Sequence, residues 1–364
     1  MPRQGQGFPE GGSLQGRAQT SLLSYNTRWV RYGSPIRNEW THSLAETTLA
    51  PRSRWDWRQT FVALRHRNYR LWFSGQIVSL AGTWMQSTAQ GYLIFQLTHS
   101  TAYLGYISFA AGIPTWLLML YAGVVADRVP RRTLLVITQS AMALLALLLA
   151  ALTFLGWVQP WHVLVLAMSL SVANAFDAPA RLAFVPELVA REDLTNAIAL
   201  NSTLFNAALI AGPALGGLVY ARFGPGWCFT LNGLSFLAII VGLLLMRLAP
   251  QPVRARRLSA SADLREGLRY VAGHGMIRGV MLLIGIISLF GFAYVTLVPA
   301  WAVDVLGGDA TTNGLLYAGR GAGALIGALI IAALGRFRFR GRLLTYGSLV
   351  YPVALLAFSV VRQL

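Results

Sequence analysis

The chain of 364 residues has no lysine: all thirty basic residues are arginine, set against thirteen acids, for a net charge of +17. It has one cysteine, Cys228, which excludes an internal disulfide and a thiolate zinc site. The five histidines (42, 66, 99, 162 and 274) are scattered and show no ligand spacing. There is no Gly-x4-Gly-Lys-Ser/Thr loop, which removes the usual signature of ATP hydrolysis. Charge itself is scarce, at 12% of residues, about half the roughly 25% of an ordinary globular protein. A water-soluble fold of this size cannot cover itself with so few charges. Disorder, collagen and a cytosolic enzyme are excluded together.

What the chain does have is apolar sequence, 55% of it. From Leu71 onward it forms runs long enough to cross the ~30 Å of a bilayer core, about 20 residues each. Nine spans are predicted, over 71–97, 104–126, 133–155, 161–179, 195–221, 226–247, 279–303, 313–334 and 343–361. Residues 1–57 read as a disordered tail or a coding start set too early. Residues 58–247 then form a six-helix bundle, 248–278 a linker, and 279–364 a partial second bundle of three helices. In the linker Leu264, Leu268 and Val271 fall at i, i+4 and i+7, the spacing of a small amphipathic surface helix.

The arginines lie in short clusters between apolar runs, not in a stripe with interleaved aromatics, so a nucleic-acid partner is excluded. With the N-terminus inside, twenty-seven fall on the cytoplasmic side and only Arg222 and Arg362 outside, with Arg320 within a span. That asymmetry predicts a multi-pass membrane protein with a cytoplasmic N-terminus.

Several constellations stand out. Gly123, Asp127, Arg128, Arg131 and Arg132 gather an acid and three arginines where span 2 gives way to span 3. Such a network breaks and reforms when helices rock; a turn carrying positive-inside charge is the plainer alternative. Gly212, Pro213, Gly216 and Gly217 place a helix-kinking proline among glycines that admit a close neighbour. Gln76, Ser79, Thr83, Gln86 and Gln90 recur at steps of three and four, putting five polar groups on one stripe of span 1. The stripe reads as the wall of a wet cavity, or as hydrogen-bond glue between helices. Ser171 and Asn174 share a face of span 4, and Asp177 and Arg181 form an i, i+4 pair that reads as helix-end structure, with gating as the alternative. Span 7 adds Phe290, Tyr294 and Thr296. Span 8 carries Gly319, Gly323 and Gly327, a spacing for tight helix contact, beside Arg320. An arginine at that depth costs at least ~2.5 kcal/mol unless solvated or paired; a structural pair with Asp304 and a contact to an anionic substrate both answer this.

The Gly123–Leu135 pattern resembles the loop signature of the major facilitator superfamily, with Pro130 where that family usually has glycine. Gly-Pro-x-x-Gly-Gly at 212–217 resembles the signature of its exporters. Gly82–Gln86, Asn174–Arg181, Phe184–Val189, Asn196–Ser202 and Glu266–Val271 are similar to the branch that includes enterobactin exporters. The resemblance implies an all-α integral membrane fold with a complete six-helix first half and a second half of three helices. It implies a monomer that exports a small amphipathic molecule, siderophore or drug-like, by two bundles rocking about a midplane site. It implies no covalent chemistry and no cofactor. Proton coupling stays open, because span 1 has no acid and span 4 lacks the mid-membrane arginine of many proton-coupled relatives. The loop at 335–342 resembles a second copy of the signature without its Asp, as two repeated halves require. The rival reading is a truncated membrane protein that transports nothing.

Overall fold

The computed structural model describes residues 60–248, 265, 269–291, 293–333 and 340–361. The expected tail at 1–57, Leu264 and Leu268 of the linker, and most of the 335–342 loop lie outside them. The chain divides into two units, Met1–Asp56 and Trp57–Leu364, and the described helices belong to the second.

These helices are α1 (Arg67–Thr98), α2 (Thr101–Arg128), α3 (Arg131–Phe154), α4 (Pro160–Leu188), α5 (Leu194–Phe223) and α6 (Pro225–Leu245). They continue with α7 (Gly275–Val305), α8 (Ala310–Ala333) and α9 (Arg340–Val360). Seven are long and apolar enough to cross a membrane by length and composition. The first, α1, is not among the seven although it runs for 32 residues, because its polar stripe dilutes it. The apolar side chains left outside, such as Trp116 at 84% and Leu182 at 79% exposure, suit a lipid surround.

Short connections join the first six helices, and local chemistry sets them. His99 ends α1 in the left-handed region at φ 47°, and its N–H donates to Phe95. Gln159 caps α4 in a box with His162, followed by Pro160 at the first helical position. Gly224, at φ 85°, ends α5 one residue before Pro225 opens α6. Between α2 and α3, Val129 and Pro130 keep negative φ angles of −106° and −53°. A glycine is not needed in that turn, so Pro130 fits it without strain.

In the first bundle α1 packs on α5 and α6, α2 on α4, and α3 on α4 and α6. From the second half, α8 lies along α5, and Ala293–Ala300 of α7 reaches α1 and α2. Two main apolar clusters form. One gathers α1 from Met85 to Phe95 with Leu104, Val163, Tyr220 and Phe229, and includes Ala300 of α7 and Ala310 of α8. The other, at the arginine-rich end, joins Tyr69, Trp72, Leu135, Phe184, Leu200 and Leu243, all from the first bundle and its lead-in.

The broadest contact between the halves is that of α5 with α8, and the α5 glycines divide by side. A Cβ on Gly212 would sit 2.8 Å from the Ala81 carbonyl of α1, and one on Gly216 would sit 3.1 Å from Met85. A Cβ on Gly217 would fall 2.5 Å from the Ala310 carbonyl of α8, and one on Gly314 would fall 2.5 Å from that of Pro213. Pro213 has no N–H, so the Leu209 carbonyl loses its helical partner. That oxygen faces Gly321 of α8, where an added Cβ would meet it at 2.7 Å. The tight stripe of α8 is therefore Gly314 and Gly321. The expected stripe of Gly319, Gly323 and Gly327 looks into open space, with nothing within 4 Å.

Gly217→Leu is expected to cost about 1–3 kcal/mol, the usual overpacking penalty, and to lower the thermal unfolding midpoint in detergent. Gly319→Leu should leave that midpoint where it is. Equal midpoints for the two variants would reject this crossing.

Candidate functional site

The α2–α3 junction is built differently from its expected charge network. Asp127 and Arg128 are exposed at the end of α2, and Asp127 makes no ion pair or side-chain hydrogen bond among the described residues. The next two arginines turn inward. Arg131 donates to the Ala183 carbonyl at 3.0 Å and pairs with Glu187 of α4. Arg132 donates to the Leu244 carbonyl at the end of α6, also at 3.0 Å. The extended backbone at Val129 and Pro130 starts α3 in a new direction, so residues four apart in sequence face different partners. Gly123 has open space beyond its Cα.

About two to three turns deeper on the same helix pair is a buried carboxylate. Asp177, with 0% exposure, accepts from Thr138 and Gln139 of α3, both at 2.9 Å, and from Arg181 at 2.6 Å. Its two oxygens hold three donors, and the nearest cation is on its own helix, so the pair ties α4 to α3. Ser171 is buried and donates to the Ala111 carbonyl of α2 at 2.6 Å, with Thr115 at 2.9 Å. Asn174, three residues on, is exposed.

The α1 stripe does not act as a single wall. Gln86 accepts from Asn232 of α6 at 2.7 Å, and Ser235 donates back to the Asn232 amide oxygen at 3.1 Å. This is interhelical glue, and a Cβ at Gly82 would sit 2.7 Å from that same oxygen. Ser79 is buried, and Gln76 and Gln90 are buried with amide nitrogens that have no partner. Thr83 alone of the five is exposed, its hydroxyl donating to the Ser79 carbonyl at 2.8 Å. Sequence reasoning missed Asn232 and Glu187. A lone amide inside the apolar run of α6 was the available signal for the first. An acid one turn from the end of α4, opposite a basic turn, was the signal for the second.

In the second half Tyr294 of α7 packs near Phe358 of α9, with ring centroids 6.3 Å apart, and both line a cavity with Arg320. Asp304 is exposed in the last π-turn of α7, and Phe290 is 72% exposed. Thr296 meets Ser108 of α2 at 3.1 Å, a polar contact between the halves. Among the described residues no group of three His, Cys, Asp or Glu side chains is placed to hold a metal ion.

Asp177→Ala strands Arg181, Thr138 and Gln139 and is expected to cost about 3–5 kcal/mol, as for breaking a buried pair. Glu187→Ala leaves Arg131 its carbonyl partner and is expected to cost about 1 kcal/mol or less. Chemical or thermal unfolding in detergent would check the order; a larger loss for Glu187→Ala contradicts it.

Residues 58–364 match the model of the transmembrane secretion effector family. The chain is 25% identical over 290 residues to a staphyloferrin A transporter of Staphylococcus aureus, covering 79% of this chain and 72% of that protein. It is 28% identical over 290 residues to the enterobactin exporter EntS of Shigella boydii, covering 78% and 68%. With EntS of Escherichia coli O1:K1 the identity is 27% over 301 residues, covering 81% and 70%. Together with the helical membrane architecture and the two signature segments, this match places the chain in the transmembrane secretion effector family of the major facilitator superfamily.

Proposed function

We propose that this chain exports a small amphipathic molecule, siderophore-like or drug-like, across the bacterial inner membrane by alternating access, with the arginine-rich end in the cytoplasm. Its nine helices would be nine spans: a six-helix half, a linker, and three helices of a second half. The similarity to a staphyloferrin A transporter and to enterobactin exporters supports the siderophore class.

The observation that carries the mechanism is where the halves meet. Ala300 and Ala310 join the apolar cluster at the arginine-poor end, and Pro299 lies against Gly91. At the arginine-rich end the apolar cluster draws on no described residue of the second half. Gly275–Ile286, the start of α7, has no buried residue. This packing fits a state closed outward and open inward. Asp127 fits it too, since its carboxylate has no partner among the described residues and could meet whatever the second half brings when the inner end shuts. In this reading Arg131 and Arg132 brace the first bundle, the α5 glycines form the joint, and Thr83 marks the open path.

Cys228 is buried, so a cysteine elsewhere reports alone. Thr83→Cys is expected to react with a membrane-impermeant maleimide in inside-out vesicles and to stay protected in right-side-out ones. The reverse pattern would overturn the orientation. Expression in a siderophore-secretion mutant, with a drug panel alongside, should restore secretion or raise resistance, and Asp127→Asn should lower either gain at equal protein level. No gain for any compound would favour the non-transporting alternative.

A further inference from the structure

Arg320 lies mid-helix in α8, on a cavity of 390 Å³ walled by α7, α8 and α9. That volume is within the range of small-molecule sites. Tyr294, Tyr317, Tyr351 and Phe358 share the wall, and the remaining lining residues are aliphatic or glycine. None of the described lining residues is acidic, and none comes from the first six helices. The site is thus internal to the second half.

Two of the three tyrosine hydroxyls are already committed. Tyr351 donates to the Gly291 carbonyl at 2.6 Å, and Tyr317 donates to that of Val295 at 2.8 Å. Gly291 closes a π-turn, Ile287–Gly291, and a Cβ there would meet the Tyr351 ring at 2.5 Å. Such turns recur at functional sites because they re-aim backbone groups. Here the turn lets α9 place a ring against α7. Phe358 is fixed in turn by Trp301, stacked with centroids 5.4 Å apart at 30°. The aromatic rings supply carbon surface, and the Arg320 guanidinium supplies positive charge to the same wall. A guanidinium beside aromatic faces is matched by a planar anion, which pairs with the fork and stacks on the rings.

We propose that this cavity is a binding site for an anionic molecule with a planar aromatic body, a carboxylate or a similar oxyanion. That such a molecule is the cargo rests on the export reading; the binding does not. The experiment uses the full chain in phosphatidylcholine nanodiscs, titrated calorimetrically with 2-naphthoate and with its neutral isostere 2-naphthamide. The unaltered chain is expected to prefer the anion by about tenfold or more, the scale of a charge-assisted hydrogen bond. Arg320→Gln should abolish the preference while retaining amide binding, which reports an intact cavity. Arg320→Lys should keep part of it. Tyr294→Ala should weaken both ligands together. Equal binding of the two by the unaltered chain, or a preference that survives Arg320→Gln, overturns the proposal. Loss of naphthoate binding in phosphatidylglycerol discs would give the seat to a lipid headgroup and overturn it as well. An Arg320-dependent preference in a protein that restores no export would sink the export reading and leave the site standing.

Discussion

At α5 two neighbouring helices approach a single backbone from opposite sides, with no side chain between them. Gly212 and Gly216 admit α1, and Gly217 admits α8 opposite Gly314 and Pro213. The largest contact of the second half with the first is made at this crossing. It brings Ala310 and Ala300 into the apolar cluster that closes the arginine-poor end, and it holds α8 so that Arg320 faces α7 and α9. Methyl-sized additions on α5 would overpack this crossing, whereas the first bundle has many independent contacts of its own.

The second constraint is the scarcity of water inside a bilayer. Each polar group buried there must find a partner in the protein or be left costly. The first bundle answers with short links between particular helices: Asp177 with Thr138 and Gln139, Ser171 with Ala111, and Gln86 with Asn232. Each link ties one element of the first half to another. Between the halves, Ser108 with Thr296 is a side-chain link of this kind among the described residues. A bundle with internal polar ties and a mostly apolar seam suits the alternating access proposed above.

Helix positions were readable because apolar run length is a local property. Span 1, expected over 71–97, sits within Arg67–Thr98, and span 5, expected over 195–221, sits within Leu194–Phe223. The partners of particular side chains were harder to read. Asp127 and Arg131 are four residues apart, yet the extended pair between them sends the arginine to α4. Gly319, Gly323 and Gly327 have the spacing of a contact stripe, but that spacing does not say which side of α8 a neighbour occupies. The neighbour's own proline and glycines select Gly314 and Gly321. The five polar residues of α1 share one stripe and still divide, because α6 offers Asn232 only at the level of Gln86.

The carbonyl that Pro213 releases gives the seam a particular mechanical character. A backbone oxygen set against a glycine makes at most a C–H···O contact, worth perhaps a kilocalorie or less. It stabilises the closed joint and also resists little when one helix slides along the other. The two helices are therefore held by shape at their point of nearest approach, as in a greased bearing, with no strong bond across it.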